Sequence, residues 1–517
     1  MRGNETIKNE EGQKMKLSKL CERIDHELLQ GSMDTEVVDV IYDSRKITEG
    51  TMFVCMVGAV TDGHKYIPDA IEKGASVIVL EREEEAKQIP EHITVIKVVS
   101  ARRSLALISA AYFDYPAEKL TTIGLTGTKG KTTTTYIIQD VLAQAGKKAG
   151  LIGTIAVVIG DEKIPAKNTT PESYEIHKYM AKMLEAGCEY VVMEVSSQGF
   201  KLDRTAGLMF DYGVFTNLSP DHIGPTEHAD FEEYLLCKSM LFRQCKTGIV
   251  NVDDEHTNKV LACHTCDVVT FSAKKEADLM ASDITFLNED GRLGMAFKTR
   301  GVLECDAEIH IPGYFSVYNA LTTMAVCQQL GVSKEAILAG LANVQVKGRV
   351  EPIKVSKDFS VIIDYAHNAV STRSVLETLK QYEPPRLVAL FGCGGNRSKV
   401  RRYDIGEVAG ELADLCIITS DNPRFEKVAD INNDIKVGLA RSNGNYIEIE
   451  DRRDALEYAI THAQKGDMII TLGKGHEDYL EIEGKKYHFS EHEVIAEIVE
   501  DIKAGKLKME DQSLRML

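Results

Sequence analysis

The densest concentration of chemistry in the chain is Thr126-Gly127-Thr128-Lys129-Gly130-Lys131-Thr132-Thr133. A strand-like run, Thr121 to Thr126, leads into it, and a helical pattern, Thr132 to Ala145, leads out and is ended by Gly146. In that setting backbone N–H groups and a helix N-terminus wrap phosphate oxygens. Lys131 can reach the β- and γ-phosphates, and the Thr132 hydroxyl can hold Mg²⁺. The spacing departs from G-x-x-x-x-G-K-[ST], because position 125 is leucine where that formula has its first glycine. A chance Gly/Thr turn is the competing reading, and the strand–loop–helix context argues against it. ATP is expected to bind here.

The elements around this loop fall into three blocks after an N-terminal tail, 1–14. The block 15–117 mixes short strands (Glu36 to Tyr42, Met52 to Val57, Ser76 to Leu80, Thr94 to Val99) with short helical stretches. In 118–345, Tyr190 to Val195 and Gly213 to Leu218 read as buried strands. Pro171 to Ala186 reads there as a helix started by proline and stopped by Gly187. The block 346–517 repeats the alternation, with strands at Val361 to Tyr365, Leu387 to Phe391, Leu415 to Ser420 and Met468 to Leu472. Met509 to Leu517 reads as a tail. The predicted fold class is α/β with three domains. The central one is a P-loop-type domain with a mostly parallel sheet, and the C-terminal one is doubly wound and Rossmann-like. Strands of the last block run into polar or glycine-bearing loops, where ligands of open α/β sheets bind.

The bulk numbers narrow the function classes. At 517 residues the chain exceeds one hydrophobic core. Its net charge of −18 leaves no basic surplus to displace counterions, so nucleic acid is not an expected partner. Eleven scattered cysteines fit reduced thiols rather than a secreted disulfide framework. Cys263-His264-Thr265-Cys266 has no second Cys/His pair at metal spacing, so structural zinc is not expected. Met1 to Lys14 lacks an apolar signal segment, and apolar runs such as Val77 to Leu80 are far too short to span a membrane. A cytoplasmic location is expected.

Further motifs extend the picture. Asn168-Thr169-Thr170-Pro171, Met193-Glu194-Val195-Ser196-Ser197 and Thr216-Asn217-Leu218-Ser219-Pro220-Asp221-His222 follow the phosphate loop. Gly348-Arg349-Val350-Glu351 and Asp364-Tyr365-Ala366-His367-Asn368 come next. Gly392-Cys393-Gly394-Gly395-Asn396-Arg397, Asp421-Asn422-Pro423-Arg424 and Gly473-Lys474-Gly475-His476-Glu477 close the series. With the shortened loop, this ordered set resembles the Mur ligases. The last three resemble the branch that adds the third residue to UDP-N-acetylmuramoyl-dipeptide in bacterial cell-wall synthesis.

The resemblance implies an ATP- and Mg²⁺-dependent ligase of the acid–amino-acid type, working through an acyl phosphate on UDP-N-acetylmuramoyl-L-alanyl-D-glutamate. It gives the blocks 15–117, 118–345 and 346–517 to the UDP-substrate, to ATP and to the amino acid. Glu194, ending an apolar strand, is expected as a Mg²⁺ ligand. His222 is similar to the family's second metal-site residue, and Lys238 falls on the lysine that the family carbamylates. A solvated helix lysine is the competing reading for Lys238. For UDP the matches are Ser44, Ala59, Val60 and Thr61; for the muramoyl-peptide, Asn168, Thr169, Thr170, Ser196 and Arg204. The ATP contacts would be Thr126 to Thr132 with Asn319, Arg349 and Asp364. Leu202, Ser316 and Ala369 depart from residues common in relatives (Gln, Asn and Pro). For the amino acid the matches are Arg402, Asp421, Asn422, Pro423, Arg424, Gly473 and Glu477, and Glu477 could hold the distal ammonium.

An arginine fork suits a second, distal carboxylate, so meso-diaminopimelate is expected over L-lysine. Arg424 merely pairing with a neighbouring acid such as Glu426 is the bland reading. A monomer is expected. A folylpolyglutamate synthase is the other ligase reading, and Asp43-Ser44-Arg45 with Asp421 to Arg424 argues against it. An ATP-gated scaffold would leave the metal, carboxylate and acceptor positions unexplained.

Overall fold

The computed structural model describes residues 14–58, 61–224, 227–289 and 292–517. It divides into two compact units: Met1–Leu279 with Thr322–Ile337, and Met280–Leu321 with Leu338–Leu517.

The first unit holds the strand pair Met15–Lys16 with Glu36–Val37 and two larger sheets. The smaller has the order His26–Gln30, Thr94–Val98, Val77–Leu80, Met52–Val54, Val40–Ile41, parallel except for its first pair. The larger runs Glu162–Pro165, Ala156–Ile159, Ala149–Ile152, Tyr190–Glu194, Thr121–Thr126, Phe210–Phe215, Cys245–Asn251, Asp267–Ser272. Its central strands are parallel, and Tyr190–Glu194 and Thr121–Thr126 lie side by side in register. Both faces are covered, which is why these strands read as unbroken apolar runs rather than alternating ones. Every residue of Tyr190–Glu194 is buried, the terminal carboxylate included.

In the second unit the sheet order is Glu351–Ile353, Ser360–Asp364, Met468–Leu472, Leu387–Phe391, Leu415–Ile418, Tyr446–Glu448. All but the first pair are parallel. Helices such as Lys399–Leu412 and Val428–Ser442 alternate with its strands. The structure is α/β throughout, with the doubly wound C-terminal sheet that the alternation predicts.

Several boundaries differ from expectation for physical reasons. The run Glu36 to Tyr42 splits into Glu36–Val37 and Val40–Ile41 because its halves pair differently, antiparallel with Met15–Lys16 and parallel with Met52–Phe53. Met52 to Val57 keeps strand geometry only to Val54. The expected strand Gly213 to Leu218 is Phe210–Phe215. Thr216 and Asn217 leave it to serve the phosphate loop, where the Asn217 carbonyl and side chain accept from Thr128 N (2.8 Å) and Lys129 N (2.9 Å). The helix expected from Pro171 is Ser173–Glu185. Met509 to Leu517 is not a tail. Met509 and Leu514 are buried in the second unit's core, Lys357 N donates to Arg515 O (3.0 Å), and Leu517 N donates to Val355 O (2.8 Å).

Candidate active site

The phosphate loop joins the strand Thr121–Thr126 to the helix Lys131–Gln144. Leu125, where the usual formula has glycine, is still inside the strand: it is fully buried and its carbonyl accepts from Val195 N (2.8 Å). Gly127 makes the turn instead. Its φ is +149°, and a Cβ there would lie 2.0 Å from Thr216 Oγ1. Gly130, at φ +86°, caps the helix in a left-handed conformation that only glycine adopts at no cost. The first-turn N–H groups of the helix have no partner within it, and with the helix dipole they favour an anion. Lys131 Nζ donates to the carbonyls of Gly127 (2.8 Å) and Thr128 (3.2 Å), so its ammonium lies over the loop it is expected to serve.

Beneath the loop, Glu194 is completely buried. Its Oε2 accepts from Thr132 Oγ1 (3.0 Å) and Thr154 Oγ1 (2.9 Å), and its Oε1 from Thr154 N (2.8 Å). A buried carboxylate met only by neutral donors is a hard-oxygen site suited to a divalent cation. Lys238, 1% exposed, donates to Gly127 O (2.8 Å), with its Nζ 4.6 Å from the Tyr234 ring centroid. The solvated-lysine reading is therefore wrong. Burial, and next the Lys131 charge, push the Lys238 ammonium far below its ordinary range. His222 is half exposed, in a left-handed conformation at φ +55°, and its Nδ1 engages Glu227 (2.9 Å). Among the described residues no three His, Cys, Asp or Glu side chains converge as a ready metal site. A cation beside Glu194 would accordingly draw on hydroxyl and modified-lysine donors as well.

The residues expected to hold the muramoyl-peptide adjoin this centre. Thr170 is buried; its Oγ1 donates to Glu194 O (3.0 Å) and accepts from Ser196 N (2.9 Å). Thr169 Oγ1 meets Thr154 Oγ1 at 3.1 Å, and Asn168 is exposed beside it. Ser196 caps the helix Ser197–Lys201. Arg204 donates to Thr170 O (2.9 Å) and to Glu172 (2.7 and 2.8 Å). In the smaller sheet's loops, Ser44 opens a short helix capped by Asp43, and Thr61 Oγ1 lies 3.1 Å from Tyr66 OH. Ala59 and Val60 lie outside the described residues.

The second unit carries the remaining positions. Asp364 is buried at a strand end; its two oxygens accept from Val350 N (2.8 Å) and Ala366 N (2.7 Å), and burial raises its pKa. Arg349 stands 5.3 Å over the Tyr365 ring, and its buried Nε has no hydrogen-bond partner among the described residues. Asn319 is buried in the helix Tyr314–Gln329.

Beyond the carboxyl ends of the same sheet lies a polar cavity of about 130 Å³. Arg402, Asp421, Asn422, Arg424, Gly473 and Glu477 all line it; Pro423, the other expected residue, is not in the lining, and its carbonyl accepts from Glu426 N (3.0 Å). Arg424 sits at φ +53°, its backbone paired to Glu481 and Glu483. Its Nε donates to Glu481 (3.0 Å) and its Nη1 to Gly395 O (2.8 Å). Glu481, not Glu426, is thus its acid partner. Two of its five N–H groups are committed, which leaves a fork available to a carboxylate. Glu426 is gripped instead by Arg402, at 2.7 and 2.9 Å, and Arg402 also reaches Asp434 (2.9 Å). That guanidinium holds the Glu426 carboxyl down at about 2. Sequence reasoning missed Thr154, Glu481 and the buried Lys474. For Lys474 the Gly-Lys-Gly-His-Glu motif was a visible signal.

A phosphate loop over a buried carboxylate in one unit, and a charged pocket past the ends of a parallel sheet in the other, are the features of an α/β protein built to bind nucleotide phosphate. Three family models match in order: "Mur ligase family, catalytic domain" over 36–113, "Mur ligase middle domain" over 125–327, and "Mur ligase, glutamate ligase domain" over 348–475. A UDP-N-acetylmuramoyl-L-alanyl-D-glutamate–2,6-diaminopimelate ligase of Clostridium tetani is 41% identical over 94% of this chain and all of its own length. The ligase of the same name from Caldanaerobacter subterraneus is 41% identical over 94% of this chain and 99% of its own. A solved structure bearing that name superposes with a TM-score of 0.71 at 25% identity, covering 95% of this chain and 99% of that one. The MurF ligase of Thermotoga maritima, solved with ADP, shares the fold at 18% identity, with a TM-score of 0.56 over 91% and 98%. The chain belongs to the Mur ligase family.

Proposed function

We propose that the protein joins meso-2,6-diaminopimelate to UDP-N-acetylmuramoyl-L-alanyl-D-glutamate at the expense of ATP, a step of peptidoglycan precursor synthesis. The observation that carries the reading is the cavity holding Arg424, Asn422 and Glu477 together in a chain of this family. The name carried by the clostridial relatives points the same way. The family's reaction transfers the γ-phosphoryl group of ATP to the substrate's free carboxylate. The acceptor's amine then attacks the acyl phosphate, and phosphate leaves from the tetrahedral intermediate.

In this reading residues 15–117 hold UDP through Ser44, Ala59, Val60 and Thr61. Residues 118–345 hold ATP and the muramoyl-peptide, and 346–517 hold the amino acid; of the expected tail, 1–14, all but Lys14 lies outside the described residues. Lys131 and the first-turn N–H groups bind phosphate, while Asn319, Arg349 and Asp364 serve the rest of the nucleotide. Asn168, Thr169, Thr170, Ser196 and Arg204 orient the carboxylate that is to be activated. Thr132, Glu194, His222 and carbamylated Lys238 would hold magnesium, which when bound neutralises phosphate charge. The depressed basicity of Lys238 favours the uncharged amine, the form that adds carbon dioxide. Arg424 forks the distal carboxylate of diaminopimelate and Glu477 meets its ammonium. The enzyme works as a monomer in the cytoplasm; no described helix is long and apolar enough to cross a membrane.

Phosphate release, measured with the UDP-muramoyl-dipeptide and either diaminopimelate or L-lysine, tests the assignment. Turnover with diaminopimelate far above L-lysine is expected. Equal or better catalytic efficiency with L-lysine would refute it.

A further inference from the structure

Lys474 is 0% exposed, although a lysine is seldom fully buried without a purpose for its charge. Its Nζ donates to Asn422 Oδ1 (3.1 Å), to Glu477 Oε2 (3.0 Å) and to the Tyr479 carbonyl, and Asp421 Oδ1 lies 4.0 Å away. An ammonium has three protons, and three acceptors use them all. No proton remains for a substrate, so Lys474 is not itself a ligand-binding group.

Its partners, however, line the cavity. The amide of Asn422 could in principle point either way. An ammonium can only donate, so Lys474 holds Oδ1 toward itself and thereby turns Nδ2 to Glu477 Oε2, at 2.9 Å. Asn422 Oδ1 also accepts from Glu481 N (2.9 Å), and Glu481 is the carboxylate that carries Arg424. One buried charge therefore organises both ends of the pocket. Glu477 Oε2 is spent on Lys474 and Asn422. Oε1 has no hydrogen bond among the described residues, and the residue faces the cavity.

Resting on the amino-acid assignment above, we propose that Lys474 is a positioning residue that sets the Asn422 amide and the Glu477 carboxylate so that Glu477 Oε1 stays uncommitted to receive an ammonium of the incoming amino acid. The same grip keeps Glu477 from folding onto the arginines across the cavity.

The test is steady-state kinetics of the full chain carrying Lys474→Met. The KM for diaminopimelate should rise by about tenfold to a hundredfold, the loss expected when a charged hydrogen-bond partner is removed. The KM values for ATP and the UDP-linked substrate should stay within about twofold, since neither substrate's residues touch Lys474. In a Glu477→Gln background the same change should add little, because the carboxylate it orients is gone; a merely structural role would give losses that multiply. Equal rises in all three KM values, or full additivity with Glu477→Gln, would overturn the proposal. Where Lys474→Met does not fold, the unmodified enzyme labelled with ¹⁵N-lysine should show a slowly exchanging ammonium signal that moves with diaminopimelate and not with ATP. Absence of such a signal, or indifference to diaminopimelate, would overturn it too. No turnover of diaminopimelate by the unmodified enzyme would sink the substrate assignment itself, whereas normal KM in Lys474→Met would sink this proposal alone.

Discussion

Replacing Arg424 by alanine separates amino-acid selection from every other step. The guanidinium is about a fifth exposed, held through Nε by Glu481 and through Nη1 by Gly395, so it arrives at the substrate already oriented. Two further N–H groups can meet one carboxylate as a fork. Each hydrogen bond to a charged group contributes roughly 1.5–3 kcal/mol, and partial exposure argues for the lower end. A loss of about 3 kcal/mol corresponds to roughly a hundredfold in kcat/KM. Arg424→Ala should therefore lower kcat/KM for diaminopimelate by about that factor. L-lysine lacks the distal carboxylate, so its low activity should change by only about twofold. Arg424→Lys should recover little, because a point charge cannot grip both oxygens. The assay is coupled phosphate release with each amino acid varied at saturating ATP. Equal losses for the two amino acids would show that the fork does not read the carboxylate, and a raised KM for ATP would show that the loop has collapsed.

Three further outcomes follow from the described geometry. Lys131→Ala should abolish turnover and leave UDP-substrate binding by calorimetry intact, because its ammonium lies over the phosphate loop, donating to the Gly127 and Thr128 carbonyls; near-normal turnover would remove the ATP site from that loop. Lys238→Ala should be nearly inactive and regain activity with added short-chain carboxylates, and a fully active variant would end the metal-ligand assignment. Glu426→Gln should lower the thermal midpoint at pH 7. The carboxyl's folded pKa, about 2, lies below its ordinary value of 4.5, so its stabilisation is complete above about pH 5 and fades as pH falls toward 2. The midpoints of the two proteins should converge over that window, and a constant gap down to pH 2 would refute the Arg402–Glu426 attribution.

What the sequence made legible was local. The phosphate loop, the strand Leu387–Phe391 and the strand Met468–Leu472 all announce themselves within a few residues, since an apolar run bounded by proline or glycine leaves a buried parallel strand few alternatives. Six of the seven residues expected to hold the amino acid line one cavity: five lie in motifs just past a strand end, and Arg402 lies in the first turn of the helix Lys399–Leu412. What stayed hidden depends on partners distant in sequence. Thr154 contributes through Glu194, forty positions on, and Glu481 through Arg424, fifty-seven positions back. Lys238 looked like any helix lysine, because burial is decided by packing around Tyr234 and Gly127 and leaves no mark on the local pattern. Glu36 to Tyr42 shows the converse. One continuous strand pattern was divided by two different pairing partners.

The last residues of the chain matter in a different way during synthesis. Leu517 and Arg515 supply backbone hydrogen bonds to Val355 and Lys357, and Met509 and Leu514 fill the core between them. Those contacts join positions more than 150 apart, so they form only when the whole second sheet has been made. Until the segment Met509–Leu517 leaves the ribosome, the Val355–Lys357 edge and the apolar surface that Met509 and Leu514 cover stay open to solvent and to other nascent chains. A chain cut before Met509 should therefore leave that edge unpaired and that apolar surface exposed.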